Sequence, residues 1–89
     1  MEKQWVVYIL SCKDETLYTG ITDDLSRRLQ QHESGKGAKY TRGRGPLELV
    51  YQEDAESYSN ALKREYQIKQ LSRNDKLKLI EAYEKTAAK

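Results

Sequence analysis

Glu65 stands where a helix facing a core should carry an apolar residue. It follows Ala61 by four positions and Leu62 by three and precedes Ile68 by three, so a helix through these residues puts its carboxylate in the stripe that faces the fold. Burying a carboxylate without a partner is costly, so something must compensate it. Two compensators are open: Lys69, one helical turn on, as an i, i+4 ion pair, or a divalent cation, which is commonly held by one or two carboxylates with water and phosphate oxygens. Arg28 is placed similarly, on one helix face with Leu25 at i−3 and His32 at i+4. Its guanidinium suits bidentate phosphate contacts, and His32 can hydrogen-bond or transfer a proton; a satisfied rim histidine is the alternative. Pleating sets Tyr8 on the opposite face from Val7 and Ile9, and Tyr18 opposite Leu17 and Thr19. If their strands pair, both hydroxyls emerge on one side, against the default of core aromatics. Gly20, ending the second run, suggests a bulge or the close approach of a backbone or ligand.

These side chains need elements to hold them. Trp5 to Leu10 and Leu17 to Ile21 are rich in β-branched and aromatic residues around a polar Lys13 to Thr16, which predicts a β-hairpin. Thr22 and Asp23 are N-cap types, and Leu25, Leu29 and His32 follow at helical spacing, so a helix is expected over about Asp24 to Glu33. The Gly-rich segment from Lys36 to Pro46 reads as a loop, and Leu47 to Tyr51 as a third strand. Asp54 can cap a second helix from about Ala55 to Leu71, with Tyr58, Ala61, Leu62 and Ile68 on one face. Ser72 and Asp75 have capping-box spacing for a third, whose buried side is Leu77, Ile80 and Tyr83. The expected architecture is α+β, with mixed α/β layers: a small three-stranded antiparallel sheet with flanking helices, in the order β-β-α-β-α-α. One domain spans 1–85, and 86–89 is expected to fray.

Composition narrows the function. The 89 residues are 37% hydrophobic and 34% charged, with seven Tyr and no Phe, which allows one small core and no large buried cavity. The longest apolar run has six residues, too short for a membrane span or a signal peptide, so a soluble, unprocessed protein without membrane contact is expected. A single Cys12 and a single His32 exclude an internal disulfide and a Cys/His zinc site, which fits a cytoplasmic setting. The net charge is only +2, yet Lys36, Lys39, Arg42 and Arg44 lie between Glu33 and Glu48 with no acid among them. Such a stretch is either a solvated loop or a phosphate-binding surface on a slightly acidic body.

Taken together, Val6-Val7-Tyr8, Tyr18-Thr19-Gly20, Arg28 eight residues after Gly20, and Glu65 resemble the motifs of the GIY-YIG nuclease superfamily over nearly the whole chain. Within it the sequence is similar to the small stand-alone bacterial UPF0213 type, which shares a segment like Gly37 to Pro46. The resemblance implies an endonuclease, in a DNA-repair setting, that hydrolyses phosphodiester bonds with a single Mg²⁺ or Mn²⁺. It implies Tyr18 as base or water-positioning group, Tyr8 in support, Arg28 on the scissile phosphate, His32 matching a histidine of some members, and Glu65 on the metal. A tyrosine of ordinary pKa, about 10, is a poor base unless nearby positive charge lowers that value. Ile21 departs from members that carry Lys there, and Asn74, downstream of Glu65, has capping as its commoner job.

All of the chain is spent on this module, so low sequence specificity is expected, with single-stranded or branched DNA as partner and RNA left open. Lys39, Arg42 and Arg44 would contact phosphates and Tyr40 would stack on a base. The competing reading is a non-catalytic nucleic-acid-binding module, or a nuclease subunit that needs a protein partner.

Overall fold

A computed structural model describes residues 4–34 and 46–87. Strands β1 (Trp5–Ser11) and β2 (Leu17–Thr22) form the expected hairpin, helix α1 (Leu25–Glu33) follows, and β3 (Glu48–Ala55), α2 (Tyr58–Gln70) and α3 (Arg73–Ala87) complete the order β-β-α-β-α-α. The sheet is antiparallel in the order β2-β1-β3. A central strand covered on both faces must be apolar throughout, and Val6 to Leu10 are all buried. Val7, Ile9 and Tyr51 meet Ala61 and Ile68 of α2 and Ile80 of α3 in one cluster, the core. By the pleat Tyr8 points to the other side, where α1 supplies His32.

The hairpin turn is held by Cys12 N–H to Thr16 C=O and Glu15 N–H to Cys12 C=O, both at 2.9 Å, with Glu15 at φ 68°. Asp14 steadies this left-handed residue from the side by accepting from the Thr16 hydroxyl at 2.6 Å and the Thr16 N–H at 3.2 Å. Register follows from the turn: Tyr8 lies opposite Gly20 and Leu10 opposite Tyr18, which makes the two tyrosines diagonal neighbours on one face.

Several boundaries differ from the sequence-based expectation. The cap of α1 is Asp24, which accepts from Arg27 N–H at 3.2 Å, while Thr22 accepts from Asp24 N–H at 3.0 Å one step earlier. Strand β3 does not stop at Tyr51. It pairs with β1 as far as Trp5 opposite Ala55, so α2 begins after Ser57, whose hydroxyl accepts from Asn60 N–H at 3.1 Å. Gln52, Glu53 and Asp54 hid this extension because an edge strand tolerates polar residues, and Glu53 is neutralised by Arg64 of α2 at 2.9 Å and accepts a hydrogen bond from the Tyr51 hydroxyl. A bulge between Ile9 and Leu10 leaves Val50 as the extra residue on β3.

The buried stripes are narrower than expected. Tyr58, Leu62 and Leu77 are 52%, 40% and 42% exposed, with Tyr58 half-covered by the Trp5 ring at 4.8 Å. In α3 the inward sector runs from Leu79 to Ile80, and at roughly 100° per residue Leu77 lies about 60° beyond it. Ser72, not Asn74, receives Asp75 N–H at the start of α3, at 3.1 Å. The helix runs through Thr86, whose hydroxyl donates to Ala82 C=O at 3.1 Å, as far as Ala87. Cys12 is buried and free. Among the described residues no helix is long and apolar enough to cross a membrane.

Candidate active site

The face of the sheet turned to α1 brings together four of the side chains singled out from sequence. Tyr8, at the centre of β1, is fully buried, and its hydroxyl lies 2.9 Å from His32 Nε2. The His32 ring stands edge-on to both tyrosines, with centroids 5.9 Å from Tyr8 and 5.3 Å from Tyr18, while the two tyrosine rings are 6.3 Å apart. Arg28, one turn before His32, acts on both tyrosine hydroxyls and donates to Gln31 Oε1 at 3.0 Å. Gln31 was not anticipated, although its i, i+3 spacing from Arg28 was the available signal.

Gly20 owes its place to space. A Cβ there would come within 2.7 Å of the Tyr8 oxygen, 2.8 Å of Tyr8 Cζ and 3.0 Å of a Tyr18 ring carbon. The close approach expected at Gly20 is thus that of the Tyr8 ring, laid over the glycine opposite it. The ring cannot yield cheaply, because it is buried and tethered to His32. Gly20→Ala is therefore expected to destabilise the fold by about 1–3 kcal/mol, the usual cost of overpacking. That lowers the melting temperature by at least about 4 °C in a domain of this size; an unchanged melt would show that Tyr8 moves freely.

Protonation follows from the surroundings. Burial pushes the Tyr8 hydroxyl up to about 12, a rise that Arg28 opposes and that the negative charge of Glu65 and the neighbouring Tyr18 reinforce. Tyr8 therefore keeps its proton at neutral pH. A guanidinium only donates, so Tyr8 accepts from Arg28 and donates to His32 Nε2, which assigns the imidazole proton to Nδ1. Burial, followed by the Arg28 charge, lowers the pKa of His32 from its ordinary 6.5. It is 2% exposed and sits behind Tyr8.

A pH dependence follows. The folded protein favours neutral His32, so between the lowered folded pKa and the ordinary value of about 6.5 the unfolded chain binds more protons. The stabilisation is complete above about pH 6.5 and is lost as pH falls through the folded value. His32→Gln, whose carbonyl can still accept from Tyr8, should melt lower than wild type at pH 7.5, and the gap should narrow at pH 5. A gap that stays constant would exclude His32 as the titrating group.

Glu65 approaches from α2, close enough for its charge to act on Tyr8. Its carboxylate is 20% exposed and lies 3.5 Å from Lys69 Nζ, so the ion-pair compensator is present. Among the described residues no three His, Cys, Asp or Glu side chains cluster as a ready-made metal site. The donor set that remains is one carboxylate open to solvent, which fits a hard cation that completes its shell with water and substrate phosphate oxygens and does not fit a resident structural ion. Lys39, Tyr40, Arg42 and Arg44 lie outside the described residues, as does most of the Lys36 to Pro46 segment.

Comparison with known proteins shows a family and a fold. The profile of the GIY-YIG catalytic domain matches residues 4–78. The chain is similar to UPF0213 protein OB0043 of Oceanobacillus iheyensis, 58% identical over 84 residues that cover 94% of this chain and 98% of that one. It is 61% identical to UPF0213 protein CPE1444 of Clostridium perfringens over 83% of this chain and 80% of that one. Among solved structures, the solution structure of UPF0213 protein BH0048 from Bacillus halodurans is similar, with a TM-score of 0.59, 51% identity, and coverage of 89% and 84% of the two chains. Protein EF2693 from E. faecalis matches with a TM-score of 0.65, 36% identity, and coverage of 93% and 88%.

Proposed function

The chain belongs to the GIY-YIG catalytic domain family, alongside the UPF0213 proteins, and from that premise we propose that it is a metal-dependent endonuclease of low sequence specificity acting on single-stranded or branched DNA. The observation that carries this reading is the convergence of Tyr8, Tyr18, Arg28 and His32 on one face of the sheet, with the Glu65 carboxylate in electrostatic reach.

In this reading the two tyrosines divide the work. Tyr8 is a positioning residue: its proton is committed to His32, and its oxygen helps aim Arg28. Tyr18 is less buried than Tyr8 and stands beside the same guanidinium, so its hydroxyl oxygen accepts a hydrogen bond from the attacking water and orients it, and the proton that the water loses as it bonds to phosphorus leaves to solvent. Arg28 holds the non-bridging oxygens of the scissile phosphate and neutralises the charge that grows as the water oxygen bonds to phosphorus and the bond to the leaving oxygen breaks. His32 fixes the orientation of Tyr8 without touching substrate. Glu65 would hold one Mg²⁺ or Mn²⁺, which when bound supplies Lewis-acid charge stabilisation at the phosphate. Lys39, Arg42 and Arg44 would add phosphate contacts and Tyr40 a stacking platform.

Incubating the protein with labelled single-stranded, branched and duplex DNA and with RNA, in Mg²⁺ or in EDTA, tests the proposal. Cleavage of single-stranded or branched DNA in Mg²⁺ and none in EDTA is expected. Salt-sensitive binding without cleavage under every condition would instead favour a non-catalytic module or a subunit that needs a partner.

A further inference from the structure

Two adjoining depressions run along the edge strand β2. One is lined by Leu17, Tyr18, Thr19, Lys69 and Lys76, the other by Thr16, Leu17, Arg73 and Lys76, so Leu17 and Lys76 join them into one furrow. Tyr18 is part of the furrow's lining, between Leu17 and Thr19. Among the described residues the furrow's charged lining is three cations, from the last turn of α2 and the start of α3, and no carboxylate lines it. We infer that this furrow is a binding track for the phosphodiester backbone of the nucleic-acid strand, leading it to Tyr18 from outside the basic Lys36 to Arg44 segment.

Three observations support this assignment. Arg73 and Lys76 lie in the first turn of α3, where the helix dipole disfavours positive charge, so the helix itself does not favour them there. The Arg73 guanidinium is held by Glu15 C=O at 2.9 Å, a neutral acceptor that fixes its position and leaves its charge intact. Half-exposed Lys69 is paired with Glu65 at 3.5 Å, a weak surface ion pair that an incoming phosphate can replace. The occupant follows from charge and continuity, since the furrow's charged lining is cationic and Tyr18 of the candidate active site lines it too. The track therefore rests on the nuclease reading.

Fluorescence anisotropy of a labelled single-stranded oligonucleotide in EDTA, titrated across a salt series, separates the two. Each lost phosphate contact flattens the slope of log K against log salt by about 0.7 and weakens binding about 5-fold at 0.1 M salt. Arg73→Gln/Lys76→Gln should flatten the slope by about 1.4 and weaken binding about 25-fold, while Lys76→Arg should match wild type. If Arg73→Gln loosens the turn that it holds, Lys76→Gln alone should show half the slope change. Wild-type slope and affinity in the double variant, with wild-type protein that binds and cleaves, would overturn the track and leave the nuclease reading standing. Wild-type protein that neither binds nor cleaves nucleic acid would overturn both.

Discussion

Replacing Glu65 by Gln is expected to abolish metal-dependent cleavage, with no product above the EDTA control, while the protein stays folded. The amide keeps the volume of the side chain and lacks the charge that a hard cation requires. The fold should hardly notice, because what Glu65 contributes structurally is the i, i+4 pair with half-exposed Lys69, worth about 0.3–0.5 kcal/mol. Glu65 is the carboxylate whose charge acts on Tyr8, and among the described residues no three-ligand cluster stands ready to rescue the variant. A melting curve within about 4 °C of wild type, read beside the cleavage assay, checks both halves. Wild-type cleavage by Glu65→Gln would make Glu65 the partner of Lys69 and nothing more.

Tyr18→Phe is expected to lower the cleavage rate at saturating DNA by about 10²-fold or more, the low end of what a positioned acid–base group contributes, with affinity little changed. Tyr8→Phe should separate from it in kind. It removes the donor to His32 Nε2 and leaves a buried acceptor unsatisfied, a cost of about 1–3 kcal/mol, so its signature is a lower melting temperature with a smaller effect on rate. Equal rates for wild type and Tyr18→Phe would leave the Tyr18 hydroxyl without a chemical role. Equal stability for wild type and Tyr8→Phe would remove the proton chain that runs through His32.

What was legible in the sequence was whatever depends on neighbours along the chain. Strands β1 and β2 declared themselves by β-branched and aromatic residues, α1 by its spacing, and Glu65 by standing in an apolar stripe with Lys69 one turn away. The common face of Tyr8 and Tyr18 followed from the pleat once the hairpin was granted. What stayed hidden depends on residues far apart in sequence. That Gly20 lies under Tyr8 is a matter of register, which the Cys12 to Thr16 turn decides. The burial of His32 is settled by its hydrogen bond to Tyr8 between α1 and the sheet, and the extension of β3 by the charge that Arg64 brings to Glu53. The furrow left no local trace because one wall comes from β2 and its cations from α2 and α3, far along the chain.

The central claim is that Tyr18, Arg28 and Glu65 act on one bound phosphate. Paramagnetic broadening tests it most directly: Mn²⁺ is titrated into isotope-labelled protein saturated with a phosphorothioate oligonucleotide that resists cleavage. The predicted result is that the amide signals of Glu65 and Tyr18 broaden together at substoichiometric Mn²⁺, and that Glu65→Gln abolishes the effect. Broadening centred on other carboxylates, such as Asp23 and Asp24, with Glu65 and Tyr18 still sharp, would contradict the account.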